Sequence, residues 1–360
     1  MGIVAGALIL SFYSVVAGWS MAYVGYSLRG AYAGGDPATV GRIFEGLLGD
    51  WRLVALWHTV FMGSTIFVVA RGVERGLETA VRYMVPALVL LMLLLLGYAV
   101  AFGDFQAGLR FMFSTDFASL TPESMLVAMG QAFFTLSVGM GAIMAYGAYL
   151  PEGTSIGSTS FAVVIADTLI AMLAGLVIFP IVFANNLDPA AGPGLIFETL
   201  PVAFGQMKFG LASGTLFFVL LTFAAWTSAI GLIEPAVAWS VETRGQKRST
   251  AAIIIGTSIW AIGFLTILSF NELADFRILG GTLYENIDHL SSNILLPLGG
   301  LLITIFAGWV MCKNSTAEEL DPAAGLAYRI WRFLARWVAP AAVLVVLLHA
   351  AGLLGRMGLV

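Results

Sequence analysis

The chain has 360 residues, 59% hydrophobic and 11% charged, with a mean hydropathy of +0.94. Soluble domains carry about 25% charged residues, so this much apolar surface excludes a water-soluble globule, and a net charge of -4 with no basic patch excludes nucleic acid as a partner. One cysteine, Cys312, excludes an internal disulfide, and the widely spaced His58, His289 and His349 are poor material for a metal site or a catalytic triad.

In chain order, the apolar runs predict about nine membrane-spanning helices, near 3–28, 51–70, 84–102, 122–149, 159–184, 211–240, 251–270, 289–311 and 337–354. About 20 apolar residues cross a bilayer core, and lipid leaves an open chain no structure but the helix in which every backbone group is satisfied. The fold class is therefore all-α, a polytopic transmembrane bundle forming a single domain over 1–360 and embedded in a lipid bilayer. Lys and Arg are more numerous on the side holding Arg71, Arg82, Arg248, Arg329, Arg332 and Arg336 than on the side holding Arg42, Arg52, Arg110, Lys208 and Arg277. By the positive-inside rule this puts the N-terminus in the cytoplasm.

The first span carries Tyr13 in SFYSVVAGWSMAY, whose hydroxyl either meets a polar ligand or packs on a neighbouring helix. The fourth, within 122–149, would be about 42 Å long as one straight helix, too long for an untilted span. Ser137, Gly139 and Gly141 lie near its middle. Either the glycines break the helix, exposing amides and carbonyls to a ligand, or they allow close helix packing. The fifth span buries Asp167 with no Lys or Arg in any apolar core to pair with, which calls for a bound cation or a proton. The connection 185–210 contains DPAAGPG and then the apolar LIFETLPVAF, which reads as a short helix folded back over the outer mouth. The sixth span sets Thr227 and Ser228 three and four residues after Ala224. These oxygens suit a hard cation, although hydroxyls also bond back to their own helix. Beside Pro235, Glu234 must face a cavity or a partner rather than lipid. The stretch 313–328 reads as a cytoplasmic connector.

Several of these segments together resemble the bacterial branch of the neurotransmitter:sodium symporter family, which has the LeuT inverted-repeat fold. SFYSVVAGW resembles its third helix and GQAFFTLSVGMGAIMAYGAY its broken sixth. DTLIAMLAGLVIFP resembles the seventh, GPGLIFETLPVAF the outer lid loop, WTSAIGLIEP the eighth and SNILLPLGGLLITIFAGW the tenth. The resemblance implies a sodium-coupled symporter, not an enzyme, that carries a neutral hydrophobic or aromatic amino acid across the inner (plasma) membrane by alternating access. It implies sodium ions, no organic cofactor and no need for chloride, and it leaves the oligomeric state open.

By position, the resemblance assigns Ile9, Tyr13, Phe134, Thr135, Ser137, Met140, Ser228 and Leu232 to the substrate pocket. It assigns Thr135 and Asp167 to one sodium site, and Ala224, Thr227 and Ser228 to a second. Asp288 falls at an outer gate, and Glu242 with Tyr149 at an inner one. Ala171 stands where chloride-dependent members have serine, so the Asp167 carboxylate would replace chloride as the counter-charge to sodium. The resemblance also divides the chain. Residues 1–120 match helices three to five of a partial first repeat. Residues 121–312 match a second repeat with its broken helix at 122–149, and 313–360 a connector and final helix. The family's first two helices have no counterpart, so an N-terminally truncated symporter, incomplete and inactive alone, is expected. The competing expectation is a non-transporting membrane remnant or structural subunit.

Overall fold

Helix starts are written into the sequence by short polar caps. Asp36, Asp50, Asp104, Thr121, Ser155 and Thr282 each accept a backbone N–H at the first turn of the helix that follows. Such caps satisfy amides that have no partner within the helix. The computed structural model describes residues 1–114, 120–151, 153–189, 192–320 and 325–350; of the side chains of residues 74 and 75 nothing is described. Its α-helices are α1 (Gly2–Leu28), α2 (Pro37–Gly49), α3 (Trp51–Ala70), α4 (Thr79–Phe102), α5 (Phe105–Phe113), α6 (Pro122–Thr135), α7 (Ala142–Gly147) and α8 (Ile156–Ala184). They continue with α9 (Leu200–Gln206), α10 (Gly210–Arg244), α11 (Arg248–Ser269), α12 (Leu283–Asp288), α13 (Leu296–Ile305), α14 (Lys313–Leu320), α15 (Leu326–Phe333) and α16 (Ala339–Ala350).

Among the described residues, eight stretches are long and apolar enough to cross a membrane: Gly2–Leu28, Trp51–Ala70, Gly76–Phe102, Ile156–Ala184, Gly210–Arg244, Arg248–Ser269, Leu283–Val310 and Leu326–Ala350. They coincide with eight of the nine expected spans. The remaining one, 122–149, is divided between α6 and α7. The last expected span, 337–354, runs beyond the described residues at 350, and residues 190 and 191 of the outer connection also lie outside them.

Among the described residues, five wider, π-type turns occur; two, at Val73–Glu78 and Phe306–Val310, have no proline close behind them, and the other three are at Leu195–Thr199, His289–Leu295 and Leu334–Val338. Each of these three ends two residues before a proline, at Pro201, Pro297 and Pro340. A proline ring has no N–H and clashes with the carbonyl one turn back; widening the turn relieves that clash without ending the helix.

The core is built on α1 and α10. Trp19, Phe61, Met62, Phe218, Ile230 and Ile233 are at most 1% exposed. At one end of the bundle, Trp19, Tyr23, Phe44, Phe197 and Phe218 form an aromatic cluster with centroid separations of 5.0 to 5.7 Å for Tyr23–Phe197, Tyr23–Phe218, Trp19–Phe44 and Phe44–Phe197. The expected folded-back helix is here. The turn at Leu195–Thr199 and α9 lay Phe197, Leu200, Ala203 and Phe204 into this cluster. The Tyr23 hydroxyl donates to the Phe197 carbonyl at 2.8 Å, and Gln206 Nε2 donates to the Gly35 carbonyl at 2.9 Å. Between α3 and α11, His58 Nε2 lies 3.1 Å from the Trp260 carbonyl, and Trp260 Nε1 donates to Thr59 Oγ1 at 2.9 Å.

Candidate functional site

The helix expected over 122–149 is interrupted between Thr135 and Ala142. Ser137 has φ +53°, Gly139 +90° and Gly141 +84°, a run of left-handed residues that no α-helix accommodates. Ser137 N–H closes onto the Phe134 carbonyl and Val138 N–H onto the Phe133 carbonyl, which ends α6. The amides of Gly139, Met140 and Gly141 donate to no described acceptor. Gly139 both breaks the helix and allows close packing. Its φ breaks the helix, and a Cβ there would lie 2.4 Å from the Leu296 carbonyl oxygen of α13. The start of α1 presses on the same point, since a Cβ on Gly2 would lie 2.6 Å from the Gly139 carbonyl oxygen.

The break opens one wall of a cavity of about 890 Å³. Ile9 and Tyr13 from α1, Phe134, Thr135, Ser137 and Met140 from around the break, and Ser228 and Leu232 from α10 all line it. Thus the eight residues expected around a substrate share one space. Ile9 and Met140 are 1% and 3% exposed, Phe134 37%, so the wall is largely apolar and tightly backed. Tyr13 and Ser228 lie beside each other in its lining. Glu78 and Arg82 also line the cavity. Neither was a candidate from sequence, because α4 begins ahead of the apolar run that marks the span, and only Arg82 drew attention, as a loop charge.

The cation candidates divide into two groups. Thr135 Oγ1 donates to Asp167 Oδ1 at 3.0 Å, joining the end of α6 to α8. On α10, Thr227 Oγ1 donates to the Ala224 carbonyl at 2.9 Å, the bond back to its own helix, while Ser228 is exposed to the cavity. A carbonyl bonded in this way keeps a second lone pair. Among the described residues no cluster of three or more His, Cys, Asp or Glu side chains is placed to hold a metal.

The gate candidates are not all brought together. Asp288 accepts from Ser292 Oγ at 2.8 Å and lines a second cavity, of about 580 Å³, with Phe133, Phe134 and Leu296. Gln131 and Phe134 line both cavities. Tyr149 lines the first, but its hydroxyl donates to Glu234 Oε1 at 2.8 Å and not to Glu242. Glu242 is exposed near the end of α10, away from the cavity lining. The expected pair of Glu242 and Tyr149 is therefore corrected to Glu234 and Tyr149.

Glu234 is fully buried, and Arg248 Nη2 meets its Oε2 at 2.5 Å. Arg248 Nε also donates to the Val69 carbonyl at 3.0 Å. One carboxylate thus ties together α3, α10, α11 and the residues after α7. The sequence marked Glu234 as needing a partner, and the partner lies at the start of the next helix. Removing one member of such a pair leaves a buried charge and costs about 3–5 kcal/mol.

Three comparisons bear on the site. The profile of the sodium:neurotransmitter symporter family matches residues 45–354. "Uncharacterized sodium-dependent transporter YhdH" of Bacillus subtilis is 35% identical over 357 residues, covering 98% of this chain and 79% of that protein. An "Uncharacterized sodium-dependent transporter" of Haemophilus influenzae is 29% identical, over 96% of this chain and 77% of that protein. Among solved structures, MhsT in complex with L-phenylalanine superposes with a TM-score of 0.88 at 38% identity, covering 97% of this chain and 80% of that one.

Proposed function

The chain belongs to the sodium:neurotransmitter symporter family, and from that membership we propose that it carries a neutral hydrophobic or aromatic amino acid into the cell in symport with sodium. The family makes it a multi-pass membrane transporter rather than an enzyme, with a LeuT-type all-α fold. The observation that supports the substrate reading is the single cavity shared by Ile9, Tyr13, Phe134, Thr135, Ser137, Met140, Ser228 and Leu232. Its apolar wall fits an aliphatic or aromatic side chain, and Met140 can repack around bulky ones. The Tyr13 and Ser228 hydroxyls and the unpaired amides of Gly139 to Gly141 offer donors to a carboxylate. The similar MhsT was crystallised with L-phenylalanine.

Sodium is a co-transported cargo. One ion would take oxygens from Thr135 and Asp167, whose carboxylate is the fixed negative charge that makes chloride unnecessary. A second would take the Ala224 carbonyl with the Thr227 and Ser228 hydroxyls, after Thr227 turns away from Ala224. Binding on both sides of the seam between the α6–α7 break and α10 couples the ions to the substrate. Alternating access then follows from movement of the broken helix against α1 and α10. Asp288 beyond Phe134 would close the outer side, and the Tyr149–Glu234–Arg248 group the inner side.

Reconstituted in proteoliposomes, the protein should accumulate tritiated L-phenylalanine or L-leucine down a sodium gradient, equally well in chloride and gluconate, and background uptake by these residues alone would instead match the incomplete, inactive form that the resemblance implies. Equal uptake from sodium and potassium media would contradict the proposal. The inner-membrane orientation is tested through Cys312, the only cysteine and an exposed one. The backbone amides of Asn314 and Ser315 hold its thiol below the usual cysteine range, which favours the reactive thiolate. An impermeant maleimide should label it from the cytoplasmic side alone.

A further inference from the structure

A further cavity, of about 600 Å³, lies far along the chain from the transport site, between α14 on one side and α15 with the turn Leu334–Val338 on the other. Lys313, Arg329, Arg332 and Arg336 line it. Among the described residues the ion pairs are Arg248–Glu234 and Arg277–Glu285, so no described carboxylate pairs with any of these four cations. Glu318 and Glu319 of α14 are exposed and pair with none of them.

The cations are held in place rather than free on the surface. Tyr328, 5% exposed, accepts from Arg332 Nη1 at 2.6 Å, and its hydroxyl lies 2.8 Å from Thr316 Oγ1 and 3.1 Å from the Lys313 carbonyl. Arg336 lies over the Trp309 ring at 4.8 Å, while Trp309 Nε1 donates to the Arg336 carbonyl at 3.1 Å. The Arg336 Nε is buried and has no hydrogen-bond acceptor. A buried guanidinium N–H facing no acceptor is costly unless something supplies one. Two held guanidinium groups, Arg332 and Arg336, beside the exposed Lys313 and Arg329, with no described counter-charge, fit phosphate oxygens, which arginine binds with geometric specificity.

An apolar stripe runs from the same cavity. Leu326, Ile330, Phe333 and Trp337, spaced by four, three and four residues, are 72%, 50%, 59% and 58% exposed. This spacing keeps them on one helix face, and Phe333 and Trp337 also line the cavity. A polar, cationic cup that continues into an exposed apolar stripe matches an amphiphile with a phosphate at one end. We propose that this cavity binds the phosphate head group of an anionic phospholipid of the inner leaflet, with the acyl chains along the Phe333–Trp337 face. The positive-inside orientation puts the cup at that leaflet.

The test is a titration of the full chain in dodecyl maltoside with dioleoyl-phosphatidylglycerol and, separately, dioleoyl-phosphatidylcholine, with bound lipid counted by native mass spectrometry. Wild type should bind the anionic lipid at least tenfold tighter. Arg329→Gln with Arg336→Gln should reduce that preference below threefold, and Arg110→Gln on α5 should preserve it. Arg329→Gln alone alters only an exposed side chain and should weaken the preference about threefold while leaving the melting temperature in phosphatidylcholine unchanged. Wild-type binding without preference, or full preference in both Arg329 variants, would overturn the proposal. Displacement of the anionic lipid by millimolar inorganic phosphate would instead identify free phosphate as the ligand and overturn the lipid assignment.

Discussion

Helices α1, α3, α10 and α11 meet through fully buried side chains such as Leu10, Phe61, Met62, Ile230 and Ile233, and through the buried Glu234–Arg248 pair. Helices α6, α7 and the first half of α8 meet their neighbours differently. Here Phe134, Phe161, Val164 and Ile165 are exposed, and apart from the buried Met140 the main contacts are the Gly139 backbone against Leu296 and the hydrogen bonds from Thr135 to Asp167 and from Tyr149 to Glu234. Close-packed side chains resist displacement as a set, because any shift opens voids. A backbone held by a few polar contacts has unused donors and acceptors and little packing to lose when it moves. The cavity lies on the seam, so its residues come half from a rigid framework and half from a segment able to rearrange.

That contrast can be broken on either side. The largest effect belongs to the framework: Glu234→Ala strands Arg248 and should cost about 3–5 kcal/mol of stability, read as a lowered denaturation midpoint. A variant of unchanged stability would mean that the pair does not brace these helices. On the other side, Gly139→Ala places a Cβ against the Leu296 carbonyl at a left-handed φ, a strain of about 1–3 kcal/mol. It should weaken substrate binding about tenfold or more while shifting the melting temperature less than Glu234→Ala does. Asp167→Asn should raise the sodium concentration needed for half-maximal binding about tenfold, with the melting temperature unchanged, because Asp167 is only half-buried and has one hydrogen bond. Tyr23→Phe removes one buried hydrogen bond to the folded-back segment and should cost about 1 kcal/mol, seen as faster amide exchange in α9.

The smallest effect is at the α2 cap. The Thr39 hydroxyl and amide hold the Asp36 carboxyl below its ordinary value. Its stabilisation is present above the unfolded value and is lost as pH falls through the lower, folded one. Fraying of α2 should therefore increase only in strongly acidic solution, and Asp36→Ala should remove this pH dependence from α2 amide exchange.

Much of this contrast is legible in the sequence. Hydropathy placed eight spans, although three of them begin six to eleven residues earlier than their apolar runs, and Gly139 and Gly141 made a break one of two open readings of 122–149. The apolar LIFETLPVAF after DPAAGPG gave the folded-back α9. The Tyr149 partner was not legible. Glu234 and Glu242 lie eight residues apart on one helix, and which of them faces Tyr149 depends on how α10 sits against α7 and α11, which local pattern does not encode. The wider turns before Pro201, Pro297 and Pro340 were also missed. Proline signals strain one turn back, but packing decides whether the helix kinks, stops or widens. Arg82 and Glu78 were missed because α4 begins before its apolar run.

The most direct test of the account is equilibrium binding of tritiated L-phenylalanine to the purified chain as sodium is titrated. Affinity should rise with sodium with a Hill coefficient above one, and should be lost when Asp167→Asn and Thr227→Val are combined. Binding that ignores sodium, or that survives the double substitution unchanged, would contradict it.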